Sequence, residues 1–251
     1  MSAEASETVL LVFLLFCRIG CCLMLMPGFS STRVPTQVRL FIAVAVTLSL
    51  SPILLPNLRA ALPDVPATRV LLLLVSESTI GILIGVMGRV FFLALQFMGN
   101  AAAMFIGLSN MPGPAIEEAE PTPAFATLIT LTATLLFFLT DQHWEVLRAL
   151  IASYSALPIT EPLAVAFNLS KLADAVASAF LLALQISAPF IVYALIINFM
   201  VGLANRLTPQ IPVYFISIPF VLAGGFFILY FTIGESLTLF MTGFMGWLAR
   251  G

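Results

Sequence analysis

Charge is scarce in this sequence: 9% of the 251 residues are Asp, Glu, Lys or Arg, where soluble domains carry about 25%. A water-facing surface cannot be built from so few charges. Ten basic residues against twelve acidic ones give a net charge of −2, so there is no basic face for nucleic acid to meet. Histidine occurs once, as His143, and cysteine three times, as Cys17, Cys21 and Cys22 inside one apolar run. With no second cluster to pair with, these cysteines offer no disulfide framework. Cys17 and Cys21 share a helix face but have no histidine or carboxylate beside them, so they read as small membrane-helix residues rather than metal ligands. Catalytic spacings are missing as well. There is no HExxH, no GxSxG, no GxxxxGK[ST] and no dinucleotide fingerprint, which withdraws support from hydrolysis and nucleotide chemistry. We expect no catalytic residue, no metal and no cofactor.

What is abundant is apolar: 61% of the chain is hydrophobic. The long runs are Val9–Met26, Val38–Leu55, Val70–Gly88, Val90–Leu108, Phe125–Thr140, Leu172–Leu203 and Ile211–Phe231, followed by a short tail, Leu237–Leu248. At about 20 residues per crossing, they predict six or seven membrane passages. The first run is a retained segment rather than a secretory leader, because Glu4 and Glu7 stand where a leader carries bases. Lipid leaves no backbone group unpaired, and the runs lack period-two alternation, so the fold class is all-α: a polytopic bundle of broken apolar helices and helical hairpins. Prolines sit mostly between runs, Pro52 and Pro56 among them, while Pro189 and Pro219 fall within runs and should kink them. An outside N-terminus places Arg33, Arg39, Arg89, Arg148, Lys171 and Arg250 inside, against Arg59, Arg69 and Arg206 outside.

Several residues stand out against this background. Arg18, Glu77, Arg89 and Glu235 lie within apolar runs, where an ionisable group needs a partner, water or a protein interior. One glutamate per distant segment fits helix anchoring better than a proton relay. Gly81 and Gly85 form a GxxxG step for close helix packing. His143, beside Trp144, reads as capping or interfacial. Asn205, Arg206 and Pro209 end a long run, with Arg206 placed to bond the free carbonyls at the helix end. The stretch Met104-Phe105-Ile106-Gly107-Leu108-Ser109-Asn110-Met111-Pro112-Gly113-Pro114 carries an apolar helix into a Gly and Pro loop ahead of Glu117, Glu118 and Glu120. Its soft side chains suit a deformable seal around a passage, and an ordinary exposed connection is the other reading.

Taken in order, these features resemble the FliR family of flagellar biosynthesis proteins and its relatives in the type III secretion export apparatus. The resemblance runs from Met26-Pro27-Gly28 and Val34-Pro35-Thr36-Gln37-Val38-Arg39 through Ser51-Pro52 and Ile106-Gly107-Leu108-Ser109. It continues in Asp141-Gln142-His143-Trp144, Leu157-Pro158, Ala188-Pro189, Asn205-Arg206-Leu207-Thr208-Pro209-Gln210-Ile211 and Pro219, with Asp141-Gln142 replacing the family's Asn-Gly. The resemblance implies one export-gate domain over residues 1–251: N-terminal helices at 1–109, a plug loop at 110–124, and C-terminal helices at 125–251 with a FliQ-like hairpin around 179–219. It also implies a multi-pass protein of the bacterial inner membrane, in the flagellar basal body, joining a helical assembly with FliP, FliQ and FlhB homologues through which unfolded export substrates pass. The plug or seal would be Met104 to Pro114, residue by residue. Arg18, Arg39, Glu77, Gly81, Gly85, Pro189, Asn205, Arg206 and Pro209 would serve assembly contacts. An injectisome subunit of the same family is the alternative. A small-solute secondary transporter is disfavoured because residues 1–125 and 126–251 show no convincing repeat.

Overall fold

The computed structural model describes residues 2–31, 34–62, 66–108, 123–160 and 169–249. Every element among them is an α-helix: α1 (Ser2–Leu25), α2 (Thr36–Ala61), α3 (Ala67–Phe105), α4 (Ala124–Leu139), α5 (Gln142–Ala156), α6 (Leu169–Leu207) and α7 (Val213–Leu248). Five are long and apolar enough to cross a membrane, or six if α4 and α5, bent by 72°, count as one span. Of the six or seven passages expected from the runs, the upper figure is too high for a definite reason. Val70–Gly88 and residues 90–105 of the run Val90–Leu108 lie in one helix of 39 residues, α3, with Arg89 inside it. In the same way, residues 213–231 of the run Ile211–Phe231 and the tail Leu237–Leu248 fall within α7.

Helix ends follow the turn residues. Gly28 takes φ 85° after α1, and Pro35 then opens α2, its carbonyl accepting from the amides of Val38 and Arg39. Contrary to expectation, Pro52 and Pro56 lie inside α2. Pro52 has no N–H for the carbonyl of Leu48, and the Ser51 hydroxyl donates to that carbonyl at 2.8 Å instead. A local side chain thus replaces the lost backbone bond, the adjustment that makes proline tolerable in a membrane helix. At the end of α3, Gly107 adopts φ 82°, Leu108 N–H donates to Ala103 O (2.7 Å) and Gly107 N–H to Met104 O (3.3 Å). This pair of bonds around a left-handed glycine is the Schellman stop. Asp141, at φ 57°, makes the corner between α4 and α5.

The chain divides into two compact units, one of residues 1–90, 138–176 and 247–251, the other of residues 91–137 and 177–246. In the first unit, Leu11, Leu14, Leu15, Ile19 and Cys22 of α1 are buried, together with Ala43, Leu50, Leu54 and Leu58 of α2 and Leu73 of α3. Gly81 and Gly85 let α3 lie backbone to backbone on α1: a Cβ on Gly81 would overlap the Arg18 carbonyl oxygen, and one on Gly85 would sit 2.8 Å from Cys22 O. Lipid supplies no hydrophobic drive between helices, so such close approach is what joins them. The second unit is centred on aromatics, with Phe92 edge-on to Phe240 (5.2 Å) and Phe244 (5.8 Å), and Phe137 edge-on to Phe244 (6.1 Å). Gly99 brings α3 against α4, since a Cβ there would lie 2.9 Å from Ala126 Cα.

Candidate functional site

The polar centre of the first unit is Arg18, a guanidinium with none of its surface exposed. An arginine on an apolar helix must have all five N–H groups answered, because each one left unmet in this setting costs free energy. The neighbouring helices answer every one. Nε donates to Glu77 Oε2 at 2.7 Å and Nη2 to Glu77 Oε1 at 2.6 Å, a two-pronged contact with a carboxylate that is itself 1% exposed. Nη1 donates to the Ser153 carbonyl (3.1 Å) and hydroxyl (3.3 Å), and Nη2 reaches the Leu157 carbonyl at 3.0 Å. The Tyr154 ring lies under the guanidinium, 4.1 Å from its carbon.

Glu77 is delivered by α3, one turn before Gly81, so the glycine contact that brings α3 onto α1 also sets the carboxylate against Arg18. Ser153 lies in the last turn of α5 and Leu157 caps it, at the end where the helix dipole is negative; the Ser153 carbonyl also accepts from the Leu157 amide at 2.8 Å. One cation therefore joins α1, α3 and the end of α5. A pair so fully occupied has no free acid, base or nucleophile to offer, and its chemistry is that of a fastener. Sequence reasoning singled out Arg18 and Glu77 separately, and the structure pairs them with each other. It missed Ser153, Tyr154 and Leu157, which no spacing rule connects to residue 18.

The other residues singled out are scattered. Arg39 donates from Nη1 to Ser30 O at 3.2 Å. Pro189 lies within α6. Asn205 and Arg206 are exposed in the last turn of α6, and Pro209 is exposed in the turn after it. The role expected of Arg206 falls to another residue: the Ala204 carbonyl accepts from the amide and the hydroxyl of Thr208, at 3.0 and 2.9 Å. Thr208 is shorter and needs no extended side chain to reach the helix end. Within the second unit, Met104 is exposed, Phe105 and Leu108 are half-buried, and Ile106 is buried where a Cβ on Gly225 would meet it. Ser109, Asn110, Met111, Pro112, Gly113 and Pro114 lie outside the described residues. His143 sits between the rings of Phe138 and Trp144, each centred 5.7 Å away, and Trp144 is exposed. Among the described residues no group of three or more His, Cys, Asp or Glu side chains could hold a metal ion.

Long apolar helices, glycine-mediated contacts and a buried charge neutralised within the bundle define a polytopic helical membrane protein. Residues 9–246 match the family described as bacterial export proteins, family 1, and the chain belongs to that family. It is similar to the flagellar biosynthetic protein FliR of Caulobacter vibrioides, at 30% identity over 210 residues covering 82% of this chain and 81% of the relative. The protein of the same name from Escherichia coli is 30% identical over 202 residues, covering 79% and 75%. That from Aquifex aeolicus is 26% identical over 232 residues, covering 91% and 88%.

Proposed function

We propose that the chain is a non-enzymatic core subunit of the flagellar export apparatus in the bacterial inner membrane, at the flagellar basal body. In this reading it assembles with FliP and FliQ homologues, touches a FlhB homologue, and helps form the passage through which unfolded flagellar proteins leave the cytoplasm. The observation that carries the reading is the family match over residues 9–246, with relatives named flagellar biosynthetic protein FliR aligned over most of their length.

Helix length supports an assembled rather than a solitary state. Exposed large apolar side chains run along α6 from Val176 to Leu207, a stripe of about 46 Å at 1.5 Å per residue. The hydrocarbon core is about 30 Å thick, and a helix tilted by about 40° covers roughly 39 Å of it. The excess calls for protein cover, which neighbouring subunits would supply. Met104, Phe105, Ile106 and Leu108, with the bend at Gly107, are the described part of the proposed seal, where apolar side chains resist ions yet move aside for a polypeptide.

The test is co-expression. With FliP and FliQ homologues the chain should purify as a complex in mild detergent, and without them it should be degraded or aggregate. Arg206→Ala should lower complex yield without adding ion leak. A well-behaved monomer, unchanged when those partners are supplied, would overturn the proposal.

A further inference from the structure

Glu235 is the single charged side chain between Val213 and Leu248, and it is exposed on α7. No hydrogen bond or ion pair engages it among the described residues. In its own unit the other described charge is the basic Arg206, which precedes the far end of α7. Val213 alone is 22 residues from Glu235, about 33 Å along the helix, so no arginine side chain spans the gap.

The surroundings of Glu235 match neither lipid nor water. One and two turns before it on the same helix face stand Phe231 and Phe227, 62% and 66% exposed, and one turn after it stands Leu239, 39% exposed. Lipid accepts those side chains but not an unpaired carboxylate. Water accepts the carboxylate but not a contiguous apolar face. A protein surface that is apolar and carries one cation accepts both.

Shape agrees with charge. Beside this face, Phe227 and Phe231 of α7 with Pro189 and Val192 of α6 wall an apolar groove of about 570 Å³. Next to Glu235 the surface is open, since nothing lies within 4 Å of a Cβ built on Gly234, and past it the exposed Thr238 and Thr242 hydroxyls donate to carbonyls of their own helix at 2.9 Å. Thr238 and Thr242 thus present methyl groups rather than unmet donors, and a helix can approach closely there.

We infer that this face of α7 docks an apolar helix of a partner chain that places a lysine or arginine opposite Glu235 and apolar side chains in the groove. The inference rests on the chain being a subunit of an assembly, but not on which subunits flank it. It is tested in cells that make the complete complex, with a photo-crosslinking residue at Thr238 and co-purification as the readout. The adduct should be a membrane protein whose crosslinked helix carries a basic residue. Glu235→Gln should lower partner recovery about tenfold or more, as loss of one member of a buried charge pair does, whereas Glu235→Asp should retain most of it. Glu235→Arg should abolish recovery, and exchanging the partner's basic residue for glutamate should restore it. Partner recovery at wild-type level with both Glu235→Gln and Glu235→Arg, or adducts to lipid alone, would overturn the inference. Should the Glu235 variants disappear from the membrane, Gly234→Trp decides: it adds bulk where nothing lies within 4 Å. Loss of the partner at a normal chain level would support the interface, and normal recovery would refute it. A crosslinked partner foreign to the export apparatus would sink the function proposed above while leaving this interface standing.

Discussion

Replacing Arg18 with methionine removes five donated hydrogen bonds at once while nearly keeping the side chain's length and apolar stem. The loss is concentrated on Glu77, whose carboxylate is 1% exposed and whose two oxygens both accept from Arg18. Removing one member of a buried pair costs about 3–5 kcal/mol, because the survivor is left charged and unpartnered. The Leu157 carbonyl loses this donor as well, while the Ser153 carbonyl keeps the Leu157 amide. At about 2–4 °C per kcal/mol for a chain of this size, melting of the detergent-solubilised complex should fall by roughly 6–20 °C. The double variant Arg18→Met with Glu77→Leu removes the stranded charge and should recover most of the loss. What remains measures the α5 carbonyls. Thermal unfolding followed by tryptophan fluorescence gives all three values. If Arg18→Met melts with the wild type, or if the double variant melts no higher than the single one, the pair does not join these helices as described.

The glycines separate into two groups by what surrounds them. Gly81→Leu should prevent accumulation of the folded chain, because its Cβ would overlap the Arg18 carbonyl, whereas Gly202→Ala meets nothing within 4 Å and should raise stability by about 0.5–1 kcal/mol. Immunoblots of membrane fractions and melting curves check both. Tyr193→Phe removes the 2.7 Å hydrogen bond to Val221 O and should cost about 0.5–1.5 kcal/mol, readable as a small drop in melting temperature at unchanged chain level.

Much of the fold was legible because the bilayer constrains backbone so strongly. Apolar runs without alternation can only be helices there, and all seven described elements are helices. What hydropathy misjudged was continuity. Arg89 interrupts the apolar run but not the helix, since arginine is a good helix former and a charge affects where a segment sits, not whether it coils. For the same reason Gly234-Glu235-Ser236 reads as an end to an apolar stretch, yet α7 continues through it. Gly81 and Gly85 were legible as packing residues because the need for small side chains is local, but their partner, α1, was not, because contact between α1 and α3 is a matter of tertiary arrangement.

The candidate site shows the same division. The cost of a charge in an apolar run can be read from one residue, which is why Arg18 and Glu77 were conspicuous; the remedy cannot, because it comes from residues 59, 135 and 139 positions away. Two of the five donated bonds end on backbone carbonyls at the close of α5, and a carbonyl leaves no trace in residue identity. Those same carbonyls explain why arginine stands here rather than lysine. A planar fork can hold a carboxylate with two prongs and still direct its outer N–H groups at a helix end, while an ammonium has three donors and no such plane. Arg18→Lys would keep the charge and strand at least two of the five acceptor contacts. Its melting temperature should therefore fall between those of the wild type and Arg18→Met, and equality with the wild type would mean that charge alone, not the geometry of the fork, secures the three helices.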